Sequence, residues 1–226
     1  MQNPKQVAGR RAAEFVEHGM RVGLGTGSTV IFTLERLAER VKEGLVISCV
    51  PTSVDTQTKA RAMGLPLVEL ADTEKLDLTI DGADEIDGDF NMIKGGGGAL
   101  LREKVVASIS RRVVTIVGAD KVVSRLGAFP LPIEVVPFAR EVVERALKSR
   151  GAQPKRRLAR DGGNYLTDNG NQILDCHFPG GIADAPGLER ELDQIPGIVE
   201  TGLFIGLSHV LVVGHPNGSV EVRERR

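Results

Sequence analysis

RVGLGTGSTVIFTLERLAERV, residues 21–41, joins a short apolar strand to a helix through three closely spaced glycines. Arg21–Leu24 has strand length. Over 30–41, Leu34, Leu37 and Val41 fall on one side of a helix. A strand, a tight glycine turn and a helix make one βα unit, and the neighbouring sequence repeats that alternation. Residues 4–18 carry Val7, Ala8, Ala12, Phe15 and Val16 at helical spacing. An apolar run at 45–50 reads as a strand, and 53–63 reads as a helix that Gly64 and Pro66 end. Further strands are predicted at 67–69, 76–80 and 113–117, with a helix at 99–110. Short apolar strands separated by helices predict an α/β fold, a mostly parallel sheet flanked by helices on both faces.

Near residue 130 the pattern changes. Phe129-Pro130-Leu131-Pro132-Ile133 and then Pro137 break any continuing helix and mark a domain crossing. A helix at 141–150, antiparallel strands within 155–176 and a helix at 188–195 follow. Thr167-Asp168-Asn169-Gly170 is the hairpin turn. A last strand at 210–213 can return to the first sheet. This predicts a main domain of residues 1–129 and 203–226, and a smaller α+β domain of residues 130–202. No internal repeat or low-complexity tract interrupts the chain.

Composition excludes several functions. With 226 residues, 41% hydrophobic and 26% charged, the chain is an ordinary globular one. Lys+Arg 29 against Asp+Glu 30 leaves a net charge of -1, so no long-range field recruits nucleic acid or an anionic membrane. Glu14 and Glu17 interrupt any signal-peptide apolar core, and no apolar run approaches the roughly 20 residues of a membrane span. Cys49 and Cys176 lie in unrelated segments, which fits two reduced core thiols and a cytoplasmic protein. His18, His177, His209 and His215 show no metal-ligand spacing.

Four stretches carry chemistry. In Gly23-Leu24-Gly25-Thr26-Gly27-Ser28-Thr29 the backbone turns tightly into a helix start, whose free N–H groups suit a phosphate. A dinucleotide fingerprint wants a third glycine where Ser28 stands, and an acid where the second strand ends in Pro51-Thr52-Ser53. Walker A and GxSxG motifs are absent. Asp81-Gly82-Ala83-Asp84 follows the strand at 76–80, at the carboxyl end where α/β sheets bind ligands. An EF-hand beginning at Asp87 would need glycine at 92 and glutamate at 98, where Met92 and Gly98 stand, so Asp87-Gly88-Asp89 reads as a turn. Lys94-Gly95-Gly96-Gly97-Gly98 is too costly in entropy for a mere linker and leads into another helix start. On that helix Glu103 shares the face of Leu100 and Val106. Lys121 follows the strand at 113–117. Oxyanion beds, carboxylates and lysines with no metal or cofactor signature fit proton transfer on a small phosphorylated polyol.

GLGTGST at 23–29, TIDGADEID at 79–87, MIKGGGGALLREK at 92–104, FPLPIEVVP at 129–137 and TDNGN at 167–171 are collinear with the type A ribose-5-phosphate isomerase family, which the chain resembles throughout. The resemblance implies a Rossmann-like domain with an inserted ferredoxin- or ACT-like α+β domain serving as lid or oligomerisation element, and a homodimer or tetramer. It implies interconversion of ribose 5-phosphate and ribulose 5-phosphate in the pentose phosphate pathway, without cofactor or metal. By resemblance Glu103 moves a proton between C2 and C1 through a cis-enediolate. Asp81, Gly82, Ala83, Asp84, Lys94 and the amides of Gly95, Gly96 and Gly97 hold the sugar oxygens. Thr26, Gly27, Ser28 and Thr29 form the substrate loop, and Lys121, with Lys5, meets the phosphate. Gly98 departs from the family, many of whose members carry alanine there. The rival functions are a non-catalytic sugar-phosphate-binding regulator, which would have no use for Glu103, a coenzyme A transferase and an amino-sugar-phosphate deaminase.

Overall fold

Val113–Gly118 is buried along its whole length, as a strand covered on both faces must be. It lies within a six-stranded sheet whose spatial order is Val220–Glu224, Val210–Gly214, Val113–Gly118, Leu78–Gly82, Arg21–Leu24 and Ser48–Pro51. All neighbours pair in parallel except the edge strand Val220–Glu224, which runs antiparallel to Val210–Gly214. The computed structural model describes residues 3–225. They divide into two units, the first holding this sheet: the described residues up to Ala83, Arg102–Val122, and those from Gly206 on.

One face of the sheet buries Val22, Leu24, Leu78, Ile80, Val114, Ile116, Val210 and Val212 against apolar side chains that include Ala8, Ala12, Leu34 and Leu37. Pro4–Ala13 and Val30–Lys42 supply those helical residues. They approach closely because Gly9 has no side chain; a β-carbon there would fall 2.8 Å from the Thr29 carbonyl. On the other face Val106 packs over Gly23, where a β-carbon would lie 2.7 Å from Val106 Cγ1 and 2.0 Å from Thr79 Oγ1.

Several elements differ from those predicted. The first helix stops at Ala13, where Glu14, Phe15 and Val16 close tighter three-residue bonds to Arg11, Ala12 and Ala13. The second strand begins at Ser48, because Leu45 N–H returns to the Arg40 carbonyl and Gly44 N–H to Val41, a Schellman cap. Residues 67–69 form only a bridge, Leu67 to Cys49. The edge strand Val220–Glu224 was not predicted.

The second unit comprises Asp84–Leu101 and Val123–Ile205. Its element order is strand Leu131–Val135, helix Arg140–Lys148, strands Gln153–Arg156 and Gln172–His177, helix Ala185–Leu192 and strand Ile198–Thr201. This is the βαββαβ order of ferredoxin-like folds. The four strands form an antiparallel sheet in the order Ile198–Thr201, Leu131–Val135, Gln172–His177, Gln153–Arg156. Pro132 is tolerated in a central strand because its carbonyl, and so its missing N–H, faces Gly202 rather than Gln172–His177. Leu131, Ile133, Val135, Val143, Leu147, Leu174 and Leu192 make the core.

The boundaries expected at 129/130 and 202/203 thus differ from this division, which takes in 84–101 and 123–129 as well. Met92–Ile93 pairs with both Glu85–Ile86 and Leu203–Phe204. The buried Glu85 carboxylate accepts the N–H groups of Gly127 and Phe129, at 2.7 and 2.6 Å.

Candidate active site

In the first unit, several of the predicted site residues gather at the carboxyl ends of the parallel strands. Asp81, 5% exposed, is the last residue but one of Leu78–Gly82, and its Oδ1 accepts the N–H groups of Thr26 at 3.1 Å and Gly82 at 2.7 Å. The loop after Arg21–Leu24 comes this close only because residue 25 is glycine; a β-carbon would sit 2.1 Å from Asp81 Oδ1. The Thr26 hydroxyl turns inward. It donates to Ser53 Oγ at 2.8 Å and lies 2.9 and 3.0 Å from Thr52 Oγ1 and Thr56 Oγ1. Thr52 and Thr56 in turn donate to the carbonyls of Leu24 and Gly25. This hydroxyl cluster fixes the loop, leaving Gly27 and Ser28 exposed.

No side chain caps the helix that starts at Val30, and its first turn holds no acid. An uncapped helix start keeps its partial positive charge for a ligand. Lys5 Nζ donates to Ser28 Oγ at 2.8 Å. Pro4 lies against the strand ends at Gly118 and Gly214. Lys121 sits in the turn Ala119–Lys121 just after Val113–Gly118, with Nζ 4.0 Å from Asp120 Oδ2. Glu103 is 4% exposed. It lies on the helix Leu100–Ser108, one turn before Val106, and that helix runs back antiparallel to the strands it joins. Three residues at 1.5 Å each carry it about 4.5 Å from Gly23 toward the carboxyl ends.

The second unit holds the other predicted residues. The Asp84 carboxylate accepts Gly96 N–H at 2.7 Å, and a β-carbon at residue 96 would lie 2.6 Å from it. Gly95 adopts φ 103° and packs on Leu100 and Pro132. Lys94, 4% exposed, holds its ammonium 5.3 Å from the centre of the Phe204 ring. Asp87 Oδ1 accepts the amides of Asp89 and Asn91, the turn predicted for that acidic run. Among the described residues no three His, Cys, Asp or Glu side chains are grouped to hold a metal ion.

A family profile described as ribose 5-phosphate isomerase A (phosphoriboisomerase A) matches residues 48–218. The chain belongs to this family. It is 49% identical over 221 residues to a ribose-5-phosphate isomerase A of Bacillus mycoides, covering 98% of this chain and all of that one. The structure of ribose 5-phosphate isomerase from Plasmodium falciparum superposes with TM-score 0.95 at 37% identity, covering 100% of both chains. A D-ribose-5-phosphate isomerase in complex with phospho-erythronic acid gives 0.94 at 36% identity, covering 98% of both. The expected family, its isomerase activity and the mostly parallel α/β sheet are borne out. No helix among the described residues is long and apolar enough to cross a membrane.

The sequence reading passed over two residues. Arg157 Nη1 donates to the carbonyls of Gly95 and Gly96, at 2.8 and 3.2 Å, and the Tyr165 hydroxyl donates to the Gly97 carbonyl at 3.2 Å. The one available signal was that Tyr165 is the only tyrosine.

Proposed function

We propose that the isomerase interconverts ribose 5-phosphate and ribulose 5-phosphate through a cis-enediolate, with Glu103 carrying the proton. In the forward direction Glu103 takes the C2 proton of the open-chain aldose. The C2–H electron pair becomes the C1=C2 double bond, and the carbonyl pair moves onto O1. Glu103 then returns the proton to C1, O2 loses its own proton to become the ketone carbonyl, and O1 is protonated. Atoms and electrons balance without any redox partner. The observation that carries this reading is a buried carboxylate, Glu103, at the carboxyl ends of the strands in a chain of this family.

Proton transfer by a side chain supplies about 10²–10⁴-fold, so stabilising the developing charge must supply most of the rest. Lys94 and the amides of Gly95, Gly96 and Gly97 would hold the enediolate oxygens, each well-placed donor being worth roughly 3 kcal/mol. While ionised, Asp81 and Asp84 only accept hydrogen bonds and cannot donate them. They would orient hydroxyls, with the Gly82-Ala83 backbone between them, and at least one would pass the proton from O2 to O1. Gly27, Ser28 and Thr29, held in place by Thr26, would bind the phosphate together with Lys5 and Lys121. The lysine beside Ser28 and the uncapped helix start support that assignment.

The enzyme would serve the pentose phosphate pathway in the cytoplasm. It would assemble as a homodimer or tetramer through the second unit. Phe138 there is 96% exposed and has Val136 and Val142 exposed nearby in the sequence.

Proton NMR of ribose 5-phosphate with catalytic enzyme in D2O tests the reaction. Ribulose 5-phosphate should form, with deuterium entering at C1 in the fraction of turnovers in which the proton on Glu103 exchanges with solvent before its return. Glu103→Gln should lower kcat by at least about 10²-fold with KM within severalfold. Near-normal turnover by that variant would remove Glu103 from the mechanism.

A further inference from the structure

We propose that Arg157 and Tyr165 are positioning residues that hold the glycine bed 95–98 by its carbonyls and so aim the Gly97 amide at the substrate. The proposal rests on the reading above, in which these amides stabilise the enediolate. A peptide unit is a rigid plane with C=O and N–H on opposite edges. Arg157 Nη1, bonded to the carbonyls of Gly95 and Gly96, therefore sets the direction of the N–H groups of Gly96 and Gly97. Tyr165, bonded to the Gly97 carbonyl, sets that of Gly98. Two of these amides are spent inside the protein, Gly96 on Asp84 and Gly98 on the Gly95 carbonyl at 2.9 Å. The Gly97 N–H has no protein acceptor among the described residues, and Gly97 is exposed.

Four consecutive glycines do not order themselves; each costs about 0.5–1 kcal/mol more than alanine to fix. In this chain alanine would collide at two of them. A β-carbon at residue 96 would strike the Asp84 carboxylate, and one at residue 98 would fall 2.0 Å from the Tyr165 hydroxyl. The order must come from outside the segment. Arg157 is itself pinned by a two-point ion pair with Asp175, Nε to Oδ2 at 2.9 Å and Nη2 to Oδ1 at 2.5 Å, and its guanidinium lies 5.6 Å from the centre of the Tyr165 ring. Just beyond Tyr165, the fully buried Glu134 accepts from the Thr167 hydroxyl and the Asn171 side-chain amide, both at 2.9 Å. That bond pair ties down the TDNGN turn and the segment carrying Tyr165. The guanidinium also polarises the peptides it touches, making their N–H edges stronger donors.

Arg157→Lys keeps the charge and loses the fork, and Tyr165→Phe removes one hydroxyl. A displacement of about 1 Å among groups that meet the reacting atoms can cost about 10²-fold. Arg157→Lys should lower kcat by about 10-fold or more, and Tyr165→Phe severalfold, with KM within about twofold and Tm near wild type. Affinity for phospho-erythronic acid, whose carboxylate resembles the enediolate in charge, should fall in parallel with kcat/KM. A residue that merely supports the fold would lower Tm and leave kcat per folded molecule unchanged, and that result overturns the proposal. Wild type and Glu103→Gln run alongside. If wild type makes no ketose or Glu103→Gln stays active, the underlying reading fails. If those two behave as expected while Arg157→Lys turns over normally, only the positioning role fails.

Discussion

Gly25→Ala puts a methyl group where Asp81 already is. A β-carbon at residue 25 would fall 2.1 Å from Asp81 Oδ1, 2.2 Å from its carboxyl carbon and 2.6 Å from its Cα. Comfortable heavy-atom contact begins near about 3.5 Å. The carboxylate must therefore retreat by more than about 1 Å, and because Cα is among the atoms struck, rotating the side chain does not relieve the clash. Overpacking of this kind costs about 1–3 kcal/mol. At about 2–4 °C per kcal/mol for a chain of this size, Tm should fall by about 2–12 °C. Activity should suffer more, since a displacement of about 1 Å among reacting groups can cost about 10²-fold. The assay is ketose formation from ribose 5-phosphate at a temperature where the variant is fully folded, with Tm from calorimetry. Gly88→Ala is the control: its β-carbon would meet nothing within 4 Å, and it should stay within about 0.5 kcal/mol with full kcat. A Gly25→Ala enzyme with kcat/KM within twofold of wild type would refute the claim that the close approach of Gly25 to Asp81 sets the site.

Glu85→Ala should destabilise by about 3–6 kcal/mol, because two N–H groups lose charge-assisted bonds of about 1.5–3 kcal/mol each; an unchanged Tm would show that water replaces the carboxylate at no cost. Arg10 and then Arg36 hold the half-exposed Glu39 carboxyl at about 2, below its ordinary 4.5. Its stabilising effect is complete above pH 4.5 and is lost as pH falls toward 2, so Glu39→Gln and high salt should each flatten the acid limb of an unfolding profile; identical acid limbs in wild type and variant would remove this pair from acid stability. Burial pushes the Cys49 thiol up to about 12, so Ellman's reagent at pH 8 should label it no faster than the chain unfolds; labelling within the mixing time would show that the thiol is open to solvent in the folded protein.

What could be read in the sequence, and what could not, follows the range of the interactions. The strand–glycine–helix run at 21–41 announces its geometry locally, and its helix lies at Val30–Lys42. The carboxyl-end position of Asp81 follows from the preceding strand alone. That Gly25 exists for Asp81, 56 positions away in the chain, does not, because a glycine turn has many uses. Arg157 and Tyr165 act through side chain to backbone bonds across more than 60 residues, and nothing at 155–165 marks them. The grouping of 84–101 with the second unit depends on two-residue strands whose pairing crosses some 110 positions. Val220–Glu224 escaped notice because its Val-Glu-Val-Arg-Glu pattern and largely exposed side chains bury too little to look like a strand. That same charge blunts it as a sheet edge.

The chain passes between the two units at four points, Ala83/Asp84, Leu101/Arg102, Val122/Val123 and Ile205/Gly206. During synthesis, then, the second unit is complete at Ile205, while the first still lacks the segment that begins at Gly206. Until Val210–Gly214 docks, Val113–Gly118 waits as an outer strand reading Val-Val-Thr-Ile-Val-Gly, uncharged and free of proline. A nascent or truncated chain that stops short of Gly206 presents that strand as a template for a second molecule. The segment from Gly206 on, which carries Val210–Gly214, therefore covers an edge on which a second molecule could otherwise pair.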